Sequence, residues 1–255
     1  MNLELQNIGH AYEDLRVLEG INLQIEEGQI VCIVGPSGCG KSTLLRLIGG
    51  LEVATEGKVL MGAEAPSESL NPLTYVFQDF ALLPWRTVEE NISLVLEDHP
   101  LSSSERQVII DDVLARTNLS EFGHVFPRQL SGGMKQRVAI ARALAVKPSV
   151  MLMDEPLSAL DSQTRELLME DLVALWGREK FTAVYVTHNL SEAVRLGHRI
   201  VVLSRRPGQI CDVVDIDTPL DRRDSADPKL AAKVKELWQL LHDEAAAADR
   251  ELADA

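Results

Sequence analysis

Aromatic residues, cysteines and long apolar runs are all scarce in this sequence. Aromatic side chains make up 4% of the 255 residues, and the three cysteines are Cys32, Cys39 and Cys211. An odd number of cysteines without paired spacing argues against a disulfide framework and against a zinc site. No apolar run approaches the roughly 20 residues that a membrane-spanning helix needs. The first ten residues lack a basic segment followed by an apolar one, so we expect no signal peptide.

Positive charge is also in deficit. The chain has 25 Lys and Arg against 39 Asp and Glu, a formal net charge of −14. This acidity disfavours non-specific binding to nucleic acid or to anionic lipid, so we expect no nucleic-acid partner. The 45% hydrophobic fraction supplies a real core and is typical of soluble domains. Together these features predict an acidic protein of the cytoplasm, which another chain must hold if it works at a membrane.

The hydrophobic pattern alternates between strands and helices. Alternating or continuous apolar runs predict strands at Leu3–Ile8, "INLQI", Ile30–Val34, "LTYVFQ", "VMLMD", "TAVYVTH" and "RIVVLS". Helical spacing follows in "KSTLLRLIGGL", which should stop at Gly49-Gly50, and in "SQTRELLMEDLVALWGREK". Strand–helix alternation predicts an α/β fold with a mostly parallel sheet covered by helices.

Two segments depart from this alternation. From about Val88 to Val146 only helical patterns appear, which predicts a helical insertion. From about Asp227, apolar residues recur at helical spacing, namely Leu230, Val234, Leu237 and Leu241. The final "DEAAAADRELADA" is interpreted as a solvated helix or tail. We therefore expect one main domain at 1–220, with a helical subdomain inserted at about 88–147, and a C-terminal helix and tail at 221–255.

The stretch "GPSGCGKST" has the spacing of a phosphate-binding loop, with a buried strand before it and a helix after it. Its residues are Gly35, Pro36, Ser37, Gly38, Cys39, Gly40, Lys41, Ser42 and Thr43. Backbone N–H groups and the helix N-terminus suit phosphate oxygens. Lys41 would reach the β- and γ-phosphates of a nucleotide, and the Ser42 hydroxyl would ligate Mg²⁺. The alternative for the whole motif is a glycine-rich turn that happens to contain Lys-Ser. Cys39 is interpreted as a small loop residue, and the alternative for it is a redox role.

A second motif, "VMLMDEP", brings two acidic residues to the carboxyl end of a buried strand, where ligands bind in open α/β sheets. Asp154 is a candidate for holding Mg²⁺, directly or through water. Glu155 is then free to polarise a water molecule. The plain alternative is a strand that ends in an acidic turn.

A third motif, "LSGGMKQR", places two adjacent glycines before a strongly helical run. Paired glycines cost backbone entropy, which indicates close approach of another group to the backbone. Ser131 has the position of a helix N-cap, which accounts for the serine but leaves the glycines Gly132 and Gly133 unexplained.

Taken in order, "GPSGCGKST", "VFQDFALLPW", "LSGGMKQR", "VMLMDEP", "SALD" and "VTHN" resemble the ATP-binding cassette (ABC) ATPases, over roughly Leu3–Val214. The resemblance implies a P-loop NTPase core with a mostly parallel sheet, an antiparallel β subdomain and an α-helical insertion subdomain. In this family two cassettes pair head to tail, and the resemblance implies a homodimer of this chain. Each ATP then lies between one phosphate loop and the Leu-Ser-Gly-Gly turn of the partner, which Ser131, Gly132 and Gly133 would form.

The same resemblance implies roles for four further residues. Tyr12 corresponds to an aromatic that stacks on adenine, against the alternative of a packing role. Gln78 corresponds to a glutamine that senses Mg²⁺ and the attacking water, and His188 to a histidine that contacts the γ-phosphate. Asp161 of "SALD" would act across the dimer interface. The implied activity is ATP hydrolysis coupled to transmembrane transport.

A narrower resemblance in "LLPWRTVEENI" and "RRPGQI" is to ATPase subunits of nitrate, sulfonate and taurine importers. It implies transmembrane permease subunits as partners, an extracytoplasmic solute-binding protein as an indirect one, and a peripheral position on the cytoplasmic side of the inner membrane. In the family the region Phe80–Arg86 helps to form the groove for a coupling helix, so Trp85 is either an exposed contact or core. Two alternatives stay open: an ATPase of a lipid-moving or envelope-regulating complex, and a soluble ABC-type ATPase without a transport role.

Overall fold

The computed structural model describes residues 1–62, 66–224 and 227–253, with side chains in the last helix up to His242. The strands of the described residues are β1 (Asn2–Tyr12), β2 (Leu15–Ile25), β3 (Ile30–Val34), β4 (Glu56–Gly62), β5 (Leu73–Val76), β6 (Val150–Asp154), β7 (Thr182–Val186), β8 (Arg199–Leu203) and β9 (Ile210–Asp215). The α-helices are α1 (Lys41–Ile48), α2 (Val88–Ser93), α3 (Ser103–Arg116), α4 (Gly132–Ala145), α5 (Ser162–Glu179), α6 (Leu190–Leu196) and α7 (Pro228–Ala253). Short 3₁₀ turns at Leu94–Leu96, Ser120–Phe122, Pro127–Gln129 and Leu220–Arg222 complete these elements.

Contacts within the chain divide it into two compact units. The first unit contains Met1–Glu64 and Thr182–Ala255, and the second contains Ala65–Phe181. The phosphate-loop motif therefore lies in the first unit, and the Leu-Ser-Gly-Gly turn and the acidic strand end lie in the second.

The first unit contains two sheets. Strands β2, β1 and β4 form an antiparallel sheet in that order, with Leu3 opposite both Ile25 and Met61. Strands β7, β3 and β8 are parallel neighbours, and β9 adds an antiparallel edge beside β8. All residues of β3 and β7 are buried, which explains why both appear in the sequence as continuous apolar runs. The sequence analysis did not identify β4 and β9.

Helices dominate the second unit. Strands β5 and β6 pair in parallel, with Tyr75 opposite Leu152. Between Val88 and Ala145 the described residues form helices, 3₁₀ turns and loops. Capping boxes begin two of these helices: Thr87 with Glu90 at α2, and Ser102 with Glu105 at α3. Each box satisfies two helix-terminal N–H groups, so these starts are encoded locally in the sequence.

Helix α7 begins at Pro228, close to the predicted start of the C-terminal helix. Its Leu230 and Leu237 are buried, in agreement with their helical spacing. The last two residues of the predicted tail, Asp254 and Ala255, lie outside the described residues. Among the helices that the structure describes, none combines the length and the apolar character needed to cross a membrane.

Candidate active site

The phosphate-loop motif connects β3 to α1 in the first unit. Gly38 has φ +76° and Gly40 has φ +104°, a left-handed conformation that glycine adopts readily. At Gly40 a Cβ atom would also stand 2.7 Å from Leu18 Cδ2 of β2. This glycine is therefore required twice, by its backbone angle and by the close packing of β2 against the loop.

The Lys41 side chain is folded back over the loop. It is buried, and its Nζ donates to the carbonyl oxygens of Gly35 and Pro36, each at 2.9 Å. Cys39 Sγ lies 3.9 Å from the same ammonium. Burial raises the pKa of the Cys39 thiol, and the positive charge of Lys41 opposes this only in part. The loop thus presents one ammonium group inside a turn of backbone, an arrangement that suits phosphate oxygens.

Gly208, a residue that the sequence analysis did not identify, packs against the backbone of this loop. Gly208 of "RRPGQI" donates its N–H to the Val17 carbonyl at 2.8 Å, and its own carbonyl accepts from the Glu19 N–H at 3.1 Å. These bonds hold the Gly208 backbone against the Cys39 carbonyl. No sequence signal distinguished this glycine from an ordinary turn glycine, because its contact is with a residue far away along the chain.

His188 lies next to the phosphate loop because of strand register. Ile33 of β3 pairs with Val186 of β7, and the Thr187 N–H donates to the Ile33 carbonyl at 3.2 Å. Gly35 and His188 each follow these paired residues by two positions. The exposed His188 is thus placed at the same end of the parallel strands as the loop, and its contact with the γ-phosphate stays a prediction.

A buried carboxylate braces the turn that carries His188. Glu192 of α6, which is 3% exposed, accepts from the Tyr185 hydroxyl at 3.0 Å and from the Thr187 hydroxyl at 2.8 Å. Asn189 caps α6 by accepting from the Glu192 N–H at 3.3 Å. The sequence analysis did not identify Glu192, whose spacing of four residues from His188 is common on any helix.

Tyr12 stands at the end of β1 and is 41% exposed, so much of its surface is accessible and its stacking on adenine stays a prediction. Its hydroxyl donates to Glu52 Oε2, and its ring meets the His10 ring edge-on, with the centroids 4.7 Å apart.

In the second unit, Asp154 ends β6 as a buried carboxylate. It accepts from the Tyr75 hydroxyl of the adjacent strand β5 at 3.0 Å. Glu155 follows with φ +44°, a left-handed conformation that is uncommon for residues other than glycine and is concentrated at functional sites.

Gln78 and Glu155 are connected through Ser158. Gln78 Nε2 lies 3.4 Å from Ser158 Oγ, which in turn donates to the Glu155 carbonyl at 2.9 Å. The second unit therefore brings together three of the predicted site residues, Gln78, Asp154 and Glu155, at the ends of two paired strands.

The Leu-Ser-Gly-Gly turn begins α4. Ser131 Oγ accepts from the Met134 N–H at 3.3 Å, an N-cap. At Gly133 a Cβ would stand 2.6 Å from Thr164 Cγ2 of α5, and at Gly132 it would stand 3.0 Å from Leu160 Cδ2. Close packing within the chain therefore accounts for Gly133, which is buried, whereas Gly132 is exposed.

Asp161 caps the neighbouring helix. It accepts from the Thr164 N–H at 3.0 Å and from the Thr164 hydroxyl at 2.7 Å, and these bonds hold the pKa of the carboxyl below its usual range. Since Thr164 also packs against Gly133, the structure places Asp161 beside the Leu-Ser-Gly-Gly turn, at the adjoining N-termini of α4 and α5.

The loop after Gln78 has an internal clamp. Arg142 of α4 donates to the carbonyl oxygens of Phe80 at 2.9 Å and of Ala81 at 2.6 Å. Both of these loop residues have left-handed φ angles, +63° and +46°. Trp85, further along the loop, is 71% exposed, so the alternative of Trp85 as a core residue is wrong.

The predicted magnesium ligands have suitable chemistry. The Ser42 hydroxyl, the Gln78 amide oxygen and the Asp154 carboxylate are hard oxygen donors, the type that Mg²⁺ prefers. The described residues contain no cluster of three or more His, Cys, Asp or Glu that could hold a metal ion. The set of Ser42, Gln78 and Asp154 nevertheless fits Mg²⁺, because this ion is usually held by one or two carboxylates together with phosphate oxygens and water.

Comparisons with known proteins agree with the geometry. The ABC transporter family profile matches residues 18–158. An uncharacterised ABC transporter ATP-binding protein of Methanocaldococcus jannaschii is 42% identical over 249 residues, which cover 96% of this chain and 92% of that protein. The aliphatic sulfonates import ATP-binding protein SsuB of Bacillus thuringiensis is 40% identical over 230 residues, 89% of this chain and 90% of that protein. A dimeric, post-hydrolysis structure of an ATP-binding cassette bound to ADP and Pi has a TM-score of 0.73 and 35% identity, over 85% of this chain and all of that one.

Proposed function

Because the chain belongs to the ABC transporter ATP-binding proteins, we propose that this ATPase energises the import of a small solute of the sulfonate, taurine or nitrate type. The family confirms the predicted fold class and the predicted ATPase activity. The sulfonate end of this range is supported by the SsuB relative, which the chain matches along most of its length.

The observation that carries the nucleotide-binding part of the proposal is the placement of Lys41. Its ammonium is buried within a loop that turns through left-handed glycines, where it contacts two carbonyl oxygens and a thiol. Triphosphate oxygens are stronger acceptors for this charge. We assign Lys41 and the backbone of residues 35–43 to the phosphates of ATP, with His188 on the γ-phosphate and Tyr12 on adenine.

The remaining assignments follow the family. Ser42, Gln78 and Asp154 hold Mg²⁺, which neutralises phosphate charge during transfer. Glu155 is the general base for the attacking water. Ser131, Gly132, Gly133 and Asp161 act on the ATP of a second copy in a head-to-tail homodimer. Permease subunits hold the dimer on the cytoplasmic side of the inner membrane, and a solute-binding protein delivers the cargo to them.

Substitution of Lys41 tests the nucleotide site. Lys41→Ala should nearly abolish Mg-ATP hydrolysis, whereas Lys147→Ala, at an exposed lysine paired only loosely with Glu68, should leave it unchanged. Hydrolysis by folded Lys41→Ala at the wild-type rate would refute the assignment. The solute requires a different experiment: purification of the native complex, identification of its permease and binding protein, and ligand screening on the latter. A complex without a solute-binding protein would contradict the importer assignment.

A further inference from the structure

The Glu52 carboxylate lies close to the side chains of Tyr12, His10 and Arg46. Glu52 lies in the loop between α1 and β4, and its side chain is 25% exposed. Its Oε2 accepts from the Tyr12 hydroxyl and lies 3.7 Å from His10 Nε2. Its Oε1 accepts from Arg46 Nη1 at 3.2 Å. One carboxylate therefore contacts both the aromatic residue and a basic residue of α1.

The same loop also holds the backbone beside Tyr12. Thr55 Oγ1 accepts from the Ala11 N–H at 3.1 Å and lies 3.4 Å from His10 Nδ1. The His10 ring is 9% exposed and stands nearly perpendicular to the Tyr12 ring, at 85°. Tyr12 is thus held at its hydroxyl, along one ring edge and at the preceding peptide, while a large part of its ring stays exposed.

These contacts lead back to the phosphate loop. Arg46 lies in the last turn of α1, the helix that begins at Lys41. Its carbonyl accepts from the Leu51 N–H at 2.9 Å, which fixes the start of the loop that carries Glu52. A continuous set of hydrogen bonds and one short helix therefore connects the predicted phosphate site to the predicted base-stacking residue, all within the first unit.

We propose that Glu52 is a positioning residue for nucleotide binding: it fixes the Tyr12 ring, before ATP arrives, at a set place relative to the phosphate loop. This inference rests on the proposed role of Tyr12. An exposed tyrosine without such a contact loses rotamer freedom when it stacks on a base, and this loss of conformational entropy weakens binding. With Glu52 in contact, the Tyr12 side chain is already ordered in the folded protein, so ATP binding does not have to order it.

The competing explanation is that Glu52 only forms surface ion pairs. Exposed pairs contribute little to stability, and such a role would not distinguish a ligand with a base from one without. Binding of two probes by the full chain separates the two readings: ATP, and inorganic tripolyphosphate, which has the phosphates but no base. The variants are Glu52→Ala, Glu52→Gln, Tyr12→Phe and the double variant Tyr12→Phe/Glu52→Ala.

The matched control is Glu56→Gln. Glu56 also pairs with an arginine, Arg16 at 2.7 Å. Glu52→Ala and Tyr12→Phe should each weaken ATP binding by roughly three- to tenfold, the usual worth of one hydrogen bond. Tripolyphosphate binding should change less than about twofold, as for an ordinary surface substitution. The double variant should be no worse than either single one, because both remove the same contact. Glu56→Gln should resemble the wild type.

The outcomes are separable from those of the proposed function. If Lys41→Ala leaves binding of both probes unchanged, the nucleotide site itself is wrong. If Lys41→Ala weakens both probes but Glu52→Ala weakens neither, or weakens them equally, the positioning role is refuted. Additive losses in the double variant would refute it as well. Should Glu52→Ala fail to fold, Glu52→Gln answers the question, since the amide keeps the shape but loses the ion pair with Arg46 and weakens the acceptor for the Tyr12 hydroxyl.

Discussion

The backbone of Gly208 is pressed against Cys39: a Cβ on Gly208 would stand 2.2 Å from the Cys39 carbonyl oxygen. No real Cβ tolerates that distance to a backbone atom, so a side chain at Gly208 must displace the phosphate loop or its own strand connection. Because Gly208 is hydrogen-bonded to Val17 and Glu19, we expect the loop to be the part that moves.

Gly208→Ala adds only one methyl group, but it should lower the rate of ATP hydrolysis strongly. A displacement of about 1 Å in a positioned group can cost up to about a hundredfold in rate, so we expect ATP hydrolysis to fall roughly ten- to a hundredfold. The control is Gly177→Ala in α5, where a Cβ would meet nothing within 4 Å. That variant should keep full activity and gain about 0.5–1 kcal/mol in unfolding free energy. Equal activity of the two variants would show that the loop accommodates the methyl group.

Local patterns predicted the core of this fold well. The buried strands β3, β6 and β7 are continuous apolar runs that end where polar motifs begin, and glycine marks the end of α1. Strand β4 was missed because most of its residues are exposed, so neither an apolar run nor a regular alternation marks it. Strand β9, at the edge of its sheet, is exposed at most positions for the same reason.

Sequence motifs also located the predicted site residues, but not the residues that hold them. Gly208 and Arg142 act through contacts with residues distant along the chain, which no local spacing reveals. Glu192 contacts Tyr185 and Thr187 nearby in the chain, but this spacing belongs to no motif. Gly133 is the instructive case. Its close approach to Thr164 gives it a packing reason within the chain, whereas the sequence suggested only a ligand reason.

Substitution of Glu155 tests the proposed homodimer. Glu155→Gln keeps the shape of the side chain but removes the base, so Mg-ATP should bind, hydrolyse slowly and hold two copies together. Light scattering should show monomers without nucleotide and dimers of the variant with Mg-ATP. Glu68→Gln, at a carboxylate that is 72% exposed, should behave as the wild type. Absence of dimers for Glu155→Gln under every condition, with permease subunits included, would contradict the head-to-tail assembly.

The three cysteines should differ sharply in reactivity. Cys211 is exposed, whereas Cys32 and Cys39 are buried, and burial raises the pKa of both buried thiols. Because the thiolate is the reactive form, a thiol reagent at pH 7.5 should modify one site rapidly, and Cys211→Ser should remove that phase. Rapid modification of two or three sites in the native protein would contradict the burial.

The same raised pKa values fix the direction of a pH effect on stability. A buried thiol stays protonated in the folded state, whereas the unfolded chain ionises near pH 8.5. The stability contributed by Cys32 and Cys39 is therefore complete below about pH 8.5 and is lost as pH rises towards their folded-state pKa. Denaturant titrations should show the unfolding free energy falling above pH 8.5, and less steeply in Cys39→Ala. An identical slope in that variant would contradict the assignment.

Arg142 should stabilise the loop after Gln78. Its guanidinium contacts two carbonyl oxygens at once, a geometry that lysine cannot reproduce. Arg142→Ala should lower the unfolding free energy by about 1.5–3 kcal/mol, the range for hydrogen bonds to a charged group, and Arg142→Lys should restore only part of it. Chemical denaturation measures both, and a fully stable alanine variant would show that the left-handed residues Phe80 and Ala81 need no clamp.

Trp85 offers the opposite case, an exposed residue whose loss should matter only in the assembled transporter. With 71% of its surface exposed, Trp85→Ala should change the unfolding free energy by less than about 0.5 kcal/mol and leave basal ATP hydrolysis unchanged. If a permease segment seats on this apolar loop, stimulation of hydrolysis by the loaded binding protein should fall about fivefold or more, the scale of a typical coupling energy. Trp238→Ala, at a tryptophan of α7 that is 57% exposed, is the matched control and should keep full stimulation. Equal stimulation in both variants, or lost basal activity in Trp85→Ala, would refute the docking role.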